Sequence, residues 1–221
     1  MSEPLFYDKM RQGTKDLFEG IGGTCVDYAV LKKNFEDHRF QTSYFETKEE
    51  AASYLKEQIV GKSVGFGGSV TTREMGLYEM LGENNQVYWH WEVPGPETYR
   101  NAHNADVYIL SANGVAETGE IINIDGTGNR LAASIFGPKK VYYIVGKNKI
   151  APDIPSAIKR AKDIAAAKNA VRLNRKTPCA ATGVCHNCSS PDRICGMTLI
   201  VERPGTGMDV EILFVNEELG Y

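Results

Sequence analysis

Apolar positions open the chain at roughly helical spacing: Leu5, Met10, Leu17 and Phe18, then Val26, Val30, Leu31 and Phe35 after the glycines Gly20, Gly22 and Gly23. A third helical stretch is expected from Lys48 to Ile59, with Ala51, Ala52, Leu55 and Ile59 on one face. Residues 1–60 therefore read as an N-terminal helical segment packed on a main domain, 61–221. From Lys62 the pattern changes to short β-branched or aromatic runs separated by helical stretches, the alternation of an α/β fold with an open, mostly parallel sheet flanked by helices. Strands are expected at Ser63 to Gly67, Val87 to Trp91, Asp106 to Ser111, Val141 to Gly146, Met197 to Glu202 and Val210 to Val215. A hairpin is expected between Val115 and Asp125. Helices are expected at Thr72 to Leu81, Pro96 to His103, Arg130 to Phe136 and Ile154 to Val171.

Composition narrows this picture. Hydrophobic residues make up 42% and charged residues 24%, ordinary globular usage, which excludes a disordered or fibrous chain. The 221 residues suit one domain with a small appendage rather than two full domains. The formal net charge of −3 gives no electrostatic case for nucleic-acid binding. That total conceals an uneven distribution: Lys139 to Lys176 holds eleven Lys or Arg against Asp153 and Asp163, a net +9. Such a stretch reads either as a solvated helix face or as a docking face for an acidic redox partner. The opening residues lack the apolar core of a leader, and no run reaches the ~18 apolar residues of a membrane span. A cytoplasmic, reducing location is the resulting expectation.

Three local patterns carry candidate chemistry. Gly65-Phe66-Gly67-Gly68-Ser69-Val70-Thr71 follows a strand and opens a helix, where glycines let the main chain approach an anion without a Cβ clash. Thr71 and Glu74 have capping-box spacing. Val70 stands where a dinucleotide fingerprint needs its third glycine, and the P-loop Gly-Lys-Ser/Thr is absent. The plainer reading is a turn whose glycines only relieve backbone strain.

The second pattern is the acidic stretch from Ser111 to Glu120 and on through Asp125 to Arg130. At the carboxyl end of a parallel strand, Glu117, Glu120 or Asp125 could act as base or nucleophile, with Arg130 binding an anionic substrate group. Alternatively this is a hairpin with Asp-Gly and Gly-Asn turns, and Asn129 caps the next helix. His90, in the aromatic run Tyr88 to Glu92, reads as a packed histidine more readily than as an acid or base.

The third pattern is Cys179, Cys185, Cys188 and Cys195 within the loop 177–196. Four thiolates this close in a reducing compartment suit one metal centre. A single Cys-x2-Cys knuckle with outlying cysteines favours a 4Fe-4S cluster, with zinc as the alternative and redox thiols as the remainder. Cys25 reads as a buried small residue and His186 as an exposed loop residue rather than a ligand.

Three segments in order, Gly65 to Leu77, Ala105 to Arg130 and Gly137 to Ile150, resemble the LUD-domain, or lactate-utilisation, family, from about Lys62 onward. The resemblance implies a fold akin to the NagB/RpiA/CoA-transferase group. It also implies a pocket at Gly65 to Thr71 facing Glu120, Asp125, Asn129 and Arg130. The implied role is a cytoplasmic component that handles a small anionic metabolite, such as the 2-hydroxy acid lactate, and passes electrons through an iron–sulfur centre. Gly65, Gly67, Gly68, Ser69, Thr71 and Asn129 would then bind substrate, and Glu120, Asp125 and Arg130 would do the chemistry. A non-redox isomerase or CoA-transferase-like enzyme with a zinc-stapled loop is the rival reading, and a non-catalytic partner subunit is a third. A second copy of the chain is carried as a further partner.

Overall fold

The computed structural model describes residues 17–19 and 25–221. Six parallel strands form the main sheet in the order β3-β12-β9-β6-β4-β5: β3 Gln41–Phe45, β4 Ser63–Phe66, β5 Gln86–Tyr88, β6 Val107–Ser111, β9 Lys140–Gly146 and β12 Asp209–Val215. A smaller mixed sheet runs β10-β7-β8-β11, from Ile150–Ala151, Gly114–Ala116, Ile121–Asp125 and Met197–Val201. Leu17–Glu19 (β1) and Cys25–Asp27 (β2) pair antiparallel. The helices are α1 Tyr28–Asp37, α2 Lys48–Gln58, α3 Val70–Glu74, α4 Leu77–Gly82, α5 Pro96–His103, α6 Asn129–Ile135, α7 Ile154–Arg160, α8 Ala167–Arg172 and α9 Pro178–Thr182. A π-helical segment, Ala161–Ala166, joins α7 to α8.

The central strands are apolar on both faces because helices cover both. Their side chains divide by the two-residue period of a strand. Tyr108, Leu110, Val141, Tyr143, Val145, Ile212 and Phe214 enter one core, with Leu31 and Phe35 of α1. Val107, Ile109, Tyr142, Ile144, Leu213 and Val215 enter the other, with Ala51 and Leu55 of α2. A third small core, from Ala116, Ile122, Ala157 and Ala161, seats α7 and the π segment on the small sheet.

The expected α/β class, the parallel sheet and the Val115 to Asp125 hairpin are found. The first sixty residues are not purely helical: Leu17 and Phe18 lie in β1, Cys25 in β2, and Gln41–Phe45 pairs in parallel with β12. That strand escapes periodicity because Gln41, Thr42 and Ser43 give an edge strand no apolar run. The helical expectation over Leu5 and Met10, and the glycines at 20, 22 and 23, lie outside the described residues. The single helix expected from Thr72 to Leu81 is two, broken at Gly76, whose φ of +61° suits glycine. Residues 87–91 are strand only to Tyr88, after which Val93 N–H closes a turn on the Trp89 carbonyl.

Candidate functional site

Three adjacent central strands, β4, β6 and β9, end at one edge of the main sheet, and the loops that leave them meet there. A cavity of about 240 Å³ opens at this edge, the usual ligand side of an open α/β sheet. From the β4 loop come Gly68, Ser69 and Thr71, from the β6 loop Ser111 and Asn113, and from the turn after β9 Lys149. Asp125, Asn129 and Arg130 close one side, and Arg172 and Arg175 stand at the exposed mouth.

The glycine turn divides by role. A Cβ on Gly65 would lie 2.2 Å from the Ala102 carbonyl oxygen, so this glycine lets α5 press against β4. A Cβ on Gly67 would meet the Arg130 side chain at 2.9 Å. Neither residue lines the cavity, and both stand at points of close packing. Gly68 does line it, with Trp91 close behind. The expected capping box is also corrected. Ser69 is the N-cap, accepting from Thr72 N–H, while Glu74 accepts from Gly220 N–H and Thr71 is buried inside the first turn.

Arg130 is held hard. Nε donates to Asp125 Oδ2 at 3.3 Å, Nη2 to Asn113 Oδ1 at 2.8 Å and to the Ile124 carbonyl at 2.6 Å, and Nη1 to the Ser111 carbonyl at 3.5 Å. Four of its five N–H donors are thus committed to protein, and it presents charge and one donor to the cavity. Asp125 Oδ1 accepts from Thr127 and Gly128 N–H, an Asx turn that starts α6, so Gly128 rather than Asn129 is the N-cap. Asp125, Asn129 and Arg130 all reach the cavity.

Glu120 does not. It sits at the other end of β8, which spans roughly 16 Å, where it accepts from Thr118 Oγ1 and lies 4.0 Å from His38 Nδ1. The expectation that it faces the glycine turn is therefore corrected: hairpin geometry sends residues 120 and 125 to opposite ends of one strand. Glu117 lies beside it, with α1's Asn34 donating to its carbonyl, and burial pushes its carboxyl up.

Lys149 is the main residue that sequence reading missed. It is 2% exposed, in a 3-10 turn between β9 and β10, and Nζ lies 2.8 Å from Thr71 Oγ1 and 2.7 Å from Ser111 Oγ. Burial first, then the Arg160 and Arg130 charges, push its amine well below the ordinary lysine range. Arg160 is 4% exposed behind the same loops, donating to the Asn148 and Asn113 carbonyls, and burial pushes it down to about 10. Both lie in the basic stretch read as a solvated or docking face, so part of that charge points inward. His90 lines the cavity stacked on Tyr99, 4.5 Å between ring centroids, with burial holding its imidazole toward the neutral form. Trp91 lies between two guanidinium groups, Arg73 at 4.6 Å and Arg172 at 4.5 Å from its ring centre.

The cysteine loop adjoins this cavity. Ile194 lines it, and Gly196 N–H pairs with the Asp125 carbonyl. Cys179, Cys185, Cys188 and Cys195 are free and half-buried. Among the described residues, no three His, Cys, Asp or Glu side chains converge on one ion-sized position. Cys179 Sγ lies 3.2 Å from Thr177 Oγ1, Cys185 Sγ accepts from Asn187 N–H, and Arg193 fastens the turn through the Cys188 and Cys195 carbonyls. In this arrangement the thiols are presented separately. His186 is exposed, 2.8 Å from Thr182 Oγ1. No helix among the described residues is long and apolar enough to cross a membrane.

Among curated proteins none matches the chain. The crystal structure of a DUF162 family protein from Deinococcus radiodurans is similar over 85% of this chain and 95% of that one, at 13% identity and a TM-score of 0.49. The LUD domain sequence model matches residues 28–215, which takes in both sheets, every cavity strand and the cysteine loop. The chain belongs to the LUD-domain family.

Proposed function

We propose that the cavity at the carboxyl edge of the main sheet binds a small anionic organic acid, of which a 2-hydroxy acid such as lactate is the leading case. The observation that carries this reading is charge imbalance. Arg130, Arg172 and Arg175 line the space against one acidic side chain, Asp125, which is already committed to Arg130. The two guanidinium groups at the mouth have no acidic side chain facing them in the cavity wall, and a bound carboxylate would pair with them through charge-assisted hydrogen bonds. Titration calorimetry with L-lactate, and with its uncharged methyl ester as control, tests it. Saturable binding of the acid alone is expected. Replacing the exposed Arg172 and Arg175 together by Ser should weaken it roughly tenfold at low salt, the scale of one charge-assisted hydrogen bond. Equal binding of acid and ester would overturn the reading.

The electron-transfer part of the role rests on the loop 177–196 closing around a 4Fe-4S cluster, with zinc as the rival occupant. Its support is the Cys-x5-Cys-x2-Cys-x6-Cys spacing and the place of Cys195 directly after the cavity residue Ile194. Anaerobic purification with iron, sulfide and zinc analysis decides between them. A brown protein with four irons per chain is the expectation, on the order of one cluster for four thiolates. A colourless, zinc-loaded protein would remove electron transfer from the proposal.

A further inference from the structure

The hydrogen bonds around Lys149 assign its amine an orientation. Ser111 Oγ donates to the Ile144 carbonyl at 2.6 Å, and Thr71 Oγ1 donates to the Leu219 carbonyl at 3.3 Å. Both hydroxyls have spent their protons, so both accept from Lys149 Nζ. Two positions on the tetrahedral nitrogen are thereby fixed. No further protein partner of Nζ is found among the described residues, and the side chain lines the cavity. Among the described residues no carboxylate is in ion-pair contact with it, and the more distant Glu74 only partly opposes the effect of burial. The surrounding Arg130 and Arg160 charges and the exclusion of water favour the neutral amine, whose lone pair then takes the remaining position.

We infer that Lys149 is the nucleophile of the cavity and that its amine condenses with the carbonyl carbon of a small oxo acid whose carboxylate the guanidinium groups hold. This rests on the acid-binding reading of the same cavity and deepens it. The Nζ lone pair forms the C–N bond as the carbonyl π bond opens. The C–O bond then breaks, and both amine protons leave with the oxygen as water, giving an imine. No oxidant or reductant is consumed. Ser111 and Thr71 act through Lys149, by accepting the hydrogen bonds that orient its amine.

Trapping tests the step. The full chain is incubated with pyruvate and cyanoborohydride, which reduces an imine to a stable secondary amine, and the adduct is mapped by peptide mass spectrometry. One adduct per chain on Lys149 is expected, suppressed by excess L-lactate, which competes for the cavity but has no carbonyl. The adduct should vanish in Lys149→Arg, whose guanidinium offers no nucleophilic amine. Mapping on the unaltered chain keeps the test decisive if that variant fails to fold. Saturable pyruvate binding with no Lys149 adduct overturns the nucleophile and leaves the acid-binding cavity standing. Absence of binding by either acid overturns both. Adducts spread over surface lysines at the rate of the urea-unfolded chain also overturn it.

Discussion

The cavity wall and the cysteine loop both hang from the helical run 154–172, and they are held in opposite ways. On the cavity side, Arg160 reaches from α7 to two half-buried carbonyls, and Arg130, Asn113, Ser111, Thr71 and Lys149 bond one another without a gap. Ser111 ends a strand, and the others stand on the helices and turns beside it. On the loop side, the π segment's Asp163 accepts from Cys185 N–H, and beyond that a half-buried chain is tied mainly by Arg193. One region is organised by its own hydrogen bonds without a ligand. The other keeps its reactive atoms close in sequence and separate in space, an arrangement in which metal binding would itself supply folding energy.

The largest expected effect attacks the organised side. Gly65→Ala places a methyl 2.2 Å from the Ala102 carbonyl, so α5 must leave β4. Overpacking of this kind should cost about 3 kcal/mol, or a fall in melting temperature of roughly 6–12 °C for a chain of this size. A melting curve that matches the unaltered protein would show the β4 wall to be soft. Much less is expected when Cys179, Cys185 and Cys188 are replaced together by Ser in metal-free protein. Half-buried residues with at most one weak thiol bond each should change stability by no more than about 0.5 kcal/mol, and lactate binding should be unaffected. A loss of several kcal/mol in chemical denaturation would mean that the empty loop is as organised as the cavity, and the contrast would fail. Cys195 is left in place because it packs against the small core.

The same contrast explains what could be read from the sequence. The β6 and β9 runs, Val-Tyr-Ile-Leu-Ser and Lys-Val-Tyr-Tyr-Ile-Val-Gly, announce buried parallel strands, and the edge at which they end predicts where a ligand sits. Asp125, Asn129, Arg130, Gly68, Ser69 and Thr71 follow from that edge. Glu120 was drawn to it by nearness in sequence to Asp125, which a strand converts into distance. Lys149 and Arg160 stayed hidden because a lysine or arginine in a basic stretch is ordinarily solvated. Only the β9 to β10 turn and the seat of α7 on the small sheet carry them inward, and both are tertiary facts. The one available signal is position: Lys149 follows by three residues a strand buried from Val141 to Gly146, where a loop at the ligand edge begins. The cysteines show the reverse case. Their spacing is legible without structure, and the folded chain adds their neighbour Ile194 in the cavity wall.

The smallest expected effect belongs to the cavity alone and is a matter of sign. Burial lowers the His90 pKa in the folded chain, and Asp125 only partly opposes it, while the unfolded chain keeps a value near 6.5. Above pH 6.5 the ring is neutral in both states and burying it costs nothing in protonation. As the pH falls through 6.5 the unfolded chain takes up a proton that the folded chain refuses, so stability declines. The decline ends once the pH is below the folded value, where both states are charged. Urea unfolding between pH 7.5 and 5 should therefore show a downward slope that His90→Phe flattens, the phenyl ring keeping the stack on Tyr99. Saturating lactate should flatten it too, because a carboxylate beside the ring favours the imidazolium in the folded state. Superimposable slopes for the two proteins would mean that His90 titrates as it does in water, and that this wall of the cavity is wetter than its packing indicates.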